Sequence, residues 1–167
     1  DELGLAPTLR WFTEAFSRRS GIDVELDLGD LDGHGRLPPA VEIVTYRAAQ
    51  EALTNAARHS GATRVTLDFE LTSPDRMRMV MTDDGSGFDP QQPPSESSEG
   101  GLGLVGLRER LEILGGQLQV CSRPGAGTRW SHEVRMRIRS IAGERWPRRC
   151  SSVKSVASGK SSHIASR

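Results

Sequence analysis

Glu51 and Asn55 stand four residues apart in the run Gln50-Glu51-Ala52-Leu53-Thr54-Asn55-Ala56-Ala57-Arg58-His59. On a helix turning about 100° per residue, that spacing puts both on one face. An Asn side-chain carbonyl is a neutral, hard oxygen ligand. Magnesium keeps several waters and takes few protein ligands beside substrate phosphates, so one Asn suffices where a polyphosphate supplies the remainder. A carboxylate one turn away can orient a water or take a proton from an attacking nucleophile. Arg58 and His59 lie one turn further along that side, and a guanidinium neutralises phosphate with a planar fork. A plainer reading stands beside this one. Ala49, Leu53 and Ala56 lie nearly opposite, so the polar side is also what any amphipathic helix shows to solvent. His59 is equally a cation at a helix C-terminus.

Asp83-Asp84-Gly85-Ser86-Gly87 follows an alternating run, so Asp83 ends a strand. Gly85 and Gly87 let the chain turn sharply and approach a ligand. A carboxylate at that mouth accepts from an exocyclic amine, which adenine carries where guanine carries a carbonyl. The same dipeptides make ordinary turns, and Asp84 is expected to face solvent. Gly101-Leu102-Gly103-Leu104 leads into a leucine-patterned helix, and free amide groups at a helix N-terminus attract anions. Gly101, Gly103 and Gly106 formally match a dinucleotide fingerprint, but no strand leads into them, and no Walker A sequence occurs. Pro124-Gly125-Ala126-Gly127-Thr128 is either a plain hairpin turn or a pocket floor whose Thr128 fixes a water near Asp83.

These groups need a scaffold. Leu5, Leu9, Phe12 and Phe16 recur at helical spacing ahead of Gly21, predicting a helix over about 5–19. Ile22, Val24, Leu26 and Leu28 alternate with acids as a half-buried strand. Pro38-Pro39 opens a second helix reaching about His59, with Ser60-Gly61 as its stop. Val65 to Leu71 and Met77 to Met81 alternate as two strands about a Ser73-Pro74-Asp75 turn, with the methionines read as core rather than as a soft binding surface. Residues 84–100 read as a loop. Leu104, Leu107, Leu111 and Leu114 mark a third helix closed by Gly115-Gly116. Leu118 and Val120 begin a fourth strand, and Trp130, His132, Val134, Met136 and Ile138 alternate as a fifth. Clean alternation leaves one sheet face buried and one wet. The expected fold is a two-layer α/β sandwich with a mixed, mostly antiparallel sheet and helices on one face.

The 167 residues suit one domain with spare chain. The zero formal net charge conceals an asymmetry: residues 1–138 carry 21 acidic and 15 basic side chains, whereas 139–167 carry 7 basic and 1 acidic. The expected division is an acidic body over 1–138 and a basic, Ser-rich, disordered tail or foreign extension over 139–167. No apolar run approaches the roughly 20 residues of a membrane span. Cys121 and Cys150 are too few for a disulfide framework or a zinc site. A reducing, cytoplasmic setting without direct membrane contact is expected. The start without Met reads as a fragment. The tail has no aromatic interleaving apart from Trp146, so no nucleic-acid partner is expected.

Taken in order, the Glu-x-x-x-Asn helix, Asp-x-Gly-x-Gly, Gly-x-Gly-Leu and Gly-x-Gly-Thr resemble the ATP-binding domain of sensor histidine kinases, in the GHKL superfamily with the Bergerat fold. Gln50 to Ser60 and Gly103-Leu104-Val105-Gly106-Leu107-Arg108-Glu109-Arg110-Leu111 are similar to the NarL/DesK-like branch. The likeness covers about residues 1–136. It implies ATP and Mg2+ as cofactors. It implies that Asn55 holds the metal and Glu51 assists phosphoryl transfer to a histidine, while Arg58 and His59 contact phosphates. Asp83 would read the adenine amine within a loop shaped by Gly85 and Gly87, and Thr128 would support its water. Gly101, Leu102, Gly103 and Leu104 would border the phosphates beneath a lid over about 89–100.

The phosphoacceptor histidine of that family lies in a preceding helix, followed by an acid. His34, His59, His132 and His163 have no such setting. The resemblance therefore implies two partners: a dimerisation domain bearing the acceptor, and a response regulator. Two other readings remain: a non-catalytic ATP-sensing module, and an anti-sigma-type serine kinase.

Overall fold

The computed structural model describes residues 4–89 and 100–136. The chain opens with α1 (Leu5–Ser20), which buries Leu5, Leu9, Phe12 and Phe16 as the periodicity predicts. Gly21 stops it in a left-handed conformation, φ 76°, and its N–H donates to the Ser17 carbonyl. β1 (Asp23–Asp27) follows, then a 3-10 turn (Gly29–Gly33) in the connection to the second helix. α2 (Pro39–Asn55) starts on a proline, as its sequence suggests, and buries Val41, Val44, Ala48, Ala49, Ala52 and Leu53. Phe12 meets Tyr46 edge-on at 5.3 Å, tying α1 to α2.

α2 ends differently from the expectation. The α-helix stops at Asn55, and Ala56–Ser60 form a wider π-turn before Gly61 at φ 61°. A π-turn takes more residues per turn than the regular helix, so Arg58 and His59 are rotated somewhat from the positions that 3.6-residue spacing assigns them. Both are exposed.

β2 (Arg64–Ser73), β3 (Arg76–Asp83), β4 (Gln117–Ser122) and β5 (Thr128–Arg135) complete a five-stranded sheet in the order β1-β2-β3-β5-β4. β1 pairs with β2 in parallel, and the other three pairings are antiparallel. The mixed, mostly antiparallel α/β sandwich is therefore as expected. α1 lies on β1, α2 on β3 and β5, and α3 (Gly100–Ile113) on β4. The covered face carries Val65, Leu67, Phe69, Met77, Met79, Met81, Trp130, His132 and Val134, all buried. The methionines are core. Val24 and Leu26 are only half-buried, because β1 is an edge strand. β5 ends at Arg135 rather than Ile138; Met136 stays buried, its N–H donating to the Asp75 carbonyl at 2.6 Å.

The opposite face is polar. Arg78 bonds Glu70 at 3.0 Å and Glu133 at 3.1 Å, and Arg76 also bonds Glu133. These guanidiniums, Arg76 foremost, hold the Glu133 carboxyl below its ordinary range. Among the described residues no helix is long and apolar enough to cross a membrane. The expected 89–100 lid, apart from its two ends, and the 139–167 tail lie outside the described residues.

Candidate functional site

The motifs converge at one end of the sandwich, around the C-terminal part of α2. Glu51 and Asn55 are half-buried on its last regular turn. Asn55 Nδ2 donates to Glu51 Oε1 at 3.1 Å. That bond turns the amide nitrogen inward along the helix and leaves the carbonyl oxygen, the better metal ligand of the two, for another partner.

α3 begins directly beside them. The glycines expected ahead of the helix lie within it: Gly101, Leu102, Gly103 and Leu104 all belong to its first turns. Interior glycine costs a helix about 1 kcal/mol relative to alanine, and the reason for it here is proximity. A methyl group at Gly103 would stand 2.6 Å from Glu51 Cδ and 2.7 Å from Oε2, with Oε1 nearer still. Leu104 is half-buried and packs against the core.

The Asp83 loop docks a little further along the chain, on the π-turn that follows α2. The Ser86 N–H donates to the Ser60 carbonyl at 2.7 Å. Gly85 lies against Ser60 so closely that a Cβ would stand 2.5 Å from its carbonyl oxygen and 2.6 Å from its hydroxyl. The Ser60 hydroxyl donates to the Ala56 carbonyl at 2.7 Å and accepts from the Ala62 N–H at 3.0 Å, closing the π-turn. One helix thus touches the start of α3 near Glu51 and the aspartate loop near Ser60.

Asp83 is only 4% exposed. Its Oδ1 accepts the Gly85 N–H at 2.9 Å, which folds the loop back over the strand end. Gly127, at φ 71°, lies against the Asp83 carbonyl, and Gly87, at φ 62°, against the Arg123 carbonyl; neither place admits a Cβ. Thr128 is the register partner of Asp83 across β3 and β5, and Ser122 that of Thr128 across β5 and β4. Ser122, Thr128 and Asp83 form one rung, continued to Val65 on β2.

Asp84 is exposed, as the sequence suggests, and it also acts as a clip. Its carboxylate accepts from the Thr63 N–H and hydroxyl at 2.8 Å each, and from the Arg64 N–H at 2.9 Å. These bonds, that of Arg64 first, hold its carboxyl below the usual range. Sequence reasoning passed over this clip, Ser60 as a docking point, and Ser122. Each is a short polar side chain at the end of an element, with no periodic signal to mark it.

Behind the rung, His132 sits 1% exposed between β5 and α2, Nε2 3.5 Å from the Thr45 hydroxyl. Nδ1 has no partner. Burial lowers its pKa to about 4, so this imidazole is neutral core and not a reacting group. Among the described residues no three His, Cys, Asp or Glu side chains come together as a metal-holding group.

Residues 40–139 match the family described as histidine kinase-, DNA gyrase B- and HSP90-like ATPase. The chain is 38% identical over 128 residues to the signal transduction histidine-protein kinase/phosphatase DegS of Brevibacillus brevis, covering 77% of this chain and 31% of that one. It is 35% identical over 131 residues to DegS of Bacillus subtilis (strain 168), covering 77% and 33%. It therefore spans about a third of the length of these relatives. The histidine kinase domain of a blue-light activated histidine kinase from Erythrobacter litoralis EL346 superposes with a TM-score of 0.64 at 24% identity, over 78% of this chain and 60% of that one.

Proposed function

Because the chain belongs to the histidine kinase-, DNA gyrase B- and HSP90-like ATPase family, we propose that the end of the sandwich around α2 binds Mg-ATP and hands its γ-phosphoryl group to a histidine on a separate dimerisation domain. The reading makes residues 1–138 the catalytic part of a cytoplasmic two-component sensor kinase. A response regulator would then receive the phosphoryl group. The observation that carries the proposal is the convergence on one helix: Gly103 beside Glu51, Gly85 beside Ser60, and the buried Asp83 at the head of that loop.

Asp83 accepts the adenine amine, with Gly85 and Gly87 shaping the loop and Thr128 holding a water. Arg58 and His59, at the exposed π-turn, meet phosphate oxygens. Gly101, Leu102, Gly103 and Leu104 border the polyphosphate at the start of α3, where unpaired backbone N–H groups favour negative charge. The residues fit a magnesium ion only if the nucleotide supplies most of its ligands: Asn55 offers one neutral oxygen, and among the described residues no acidic cluster competes. The metal, when bound, draws charge off the phosphates. Glu51 takes the proton released by the attacking imidazole nitrogen. The rest is positioning and charge neutralisation.

Titration calorimetry with Mg-ATP is the first test, and saturable binding is expected. The second mixes the nucleotide-bound chain with a matching dimerisation domain and labelled ATP. Acid-labile label on the acceptor histidine is expected. Its absence, with both parts folded and ATP bound, removes the kinase reading.

A further inference from the structure

We infer that Ser122 is a specificity-determining residue, fixing the direction of the Thr128 hydroxyl so that the Asp83 rung accepts a 6-amino purine and rejects a 6-oxo purine. The inference rests on the nucleotide reading above and deepens it. Ser122 is the last residue of β4 and is buried. Its hydroxyl has three neighbours: the Phe88 N–H at 2.9 Å, the Gly127 carbonyl at 2.9 Å and the Thr128 hydroxyl at 3.1 Å.

A hydroxyl owns one proton and two lone pairs. The Gly127 carbonyl can only accept, so the Ser122 proton goes there. The Phe88 N–H can only donate, and it takes one Ser122 lone pair. One lone pair remains, and the Thr128 hydroxyl fills it by donating its own proton. Every hydrogen-bonding capacity of Ser122 is then used. Thr128 is left with lone pairs alone.

Along the rung the next side chain is Asp83, a carboxylate whose Oδ1 already takes the Gly85 N–H. An ionised carboxylate also only accepts. Two neighbouring acceptors with no proton between them call for a ligand edge that brings protons: an amine, or a water turned by one. A purine carbonyl in that place brings lone pairs to lone pairs, and a buried acceptor left unpaired is what makes such sites selective. Ser122 itself touches no ligand in this scheme.

The test compares ATP with inosine triphosphate, which carries a carbonyl in place of the amine, by calorimetry with magnesium present. The wild-type chain is expected to prefer ATP. Ser122→Ala frees the Thr128 proton to swing toward the ligand, so the preference should fall about tenfold, the worth of one such bond. Loss of the Phe88 contact weakens both nucleotides alike and leaves the ratio untouched, which separates a loosened loop from a lost orientation. Ser122→Thr keeps the hydroxyl and should restore the ratio. An unchanged ratio in a folded, ATP-binding Ser122→Ala chain overturns the inference. Should that variant not fold, Thr128→Val serves: it removes the paired acceptor, and the preference must again fall, with an unchanged ratio overturning the inference. No ATP binding by the wild type removes the nucleotide reading and the inference with it, a result distinct from binding without the ratio change.

Discussion

At Asp83 turn-making and the proposed recognition divide between two atoms. Oδ1 holds the Gly85 N–H, and under the proposed nucleotide reading the other oxygen meets the ligand. Asp83→Asn keeps an oxygen for the turn and replaces the second acceptor with a donor. Fluorescence or calorimetric titration should show ATP affinity reduced about ten- to a hundred-fold, the range for a bond to a charged group, with the melting temperature hardly changed. Unaltered affinity would take Asp83 out of the site. Asp83 and the Glu51–Asn55 pair were legible in the sequence because their spacing, or their place at the end of an alternating run, has a chemical meaning before any fold is known. Ser122, Ser60 and the Asp84 clip were not. Their partners lie in other elements, and a lone Ser or Asp at an element end has the same appearance whether it docks a loop or faces water.

Among the elements, the contact between α2 and α3 separates stability from chemistry. Whatever stands at position 103 meets the outer atoms of the Glu51 side chain, which is flexible, rather than backbone. Gly103→Ala should therefore leave the melting temperature level or raise it, since alanine is the better helix former by about 1 kcal/mol. The carboxylate must swing away from Asn55, however. Phosphotransfer to a dimerisation domain should fall by about tenfold or more, as expected when a proton acceptor is misplaced, while ATP affinity changes far less. Equal loss in both measurements would mean that α3 itself had moved. The glycines looked like a lead-in to the helix because glycine is a poor helix former. The closeness of Glu51 accounts for Gly103 inside it. The π-turn was equally hidden, since a change from 3.6 residues per turn leaves no mark in a sequence as short as Ala56–Ser60.

Over the whole molecule, acid sensitivity should run through His132. Its pKa is about 4 in the fold, against an ordinary value of 6.5, so the unfolded chain binds the extra proton between those limits. The neutral imidazole costs nothing above pH 6.5. Stability is then lost as pH falls from there toward 4, at up to about 1.4 kcal/mol per pH unit. Asp84 and Glu133, held below their ordinary range, add losses only at lower pH. Asp68 runs the other way: burial, then repulsion by Asp27 and Glu25, raises its pKa. The difference between wild type and His132→Gln therefore isolates the imidazole. Urea unfolding at pH 7 and pH 5 should show the wild type losing more stability than the variant, and parallel losses would contradict the assignment.

Strand order carries a different consequence. β5, the last of the described strands in chain order, lies between β3 and β4, both made earlier. Until it arrives, each of those strands presents an open row of backbone donors and acceptors toward a gap. Unfilled edges of this kind invite pairing between molecules. A chain cut before residue 128 during synthesis would not be a smaller version of this domain but a sticky one, so the polypeptide is safe from its own copies only once β5 has emerged and paired with both neighbours.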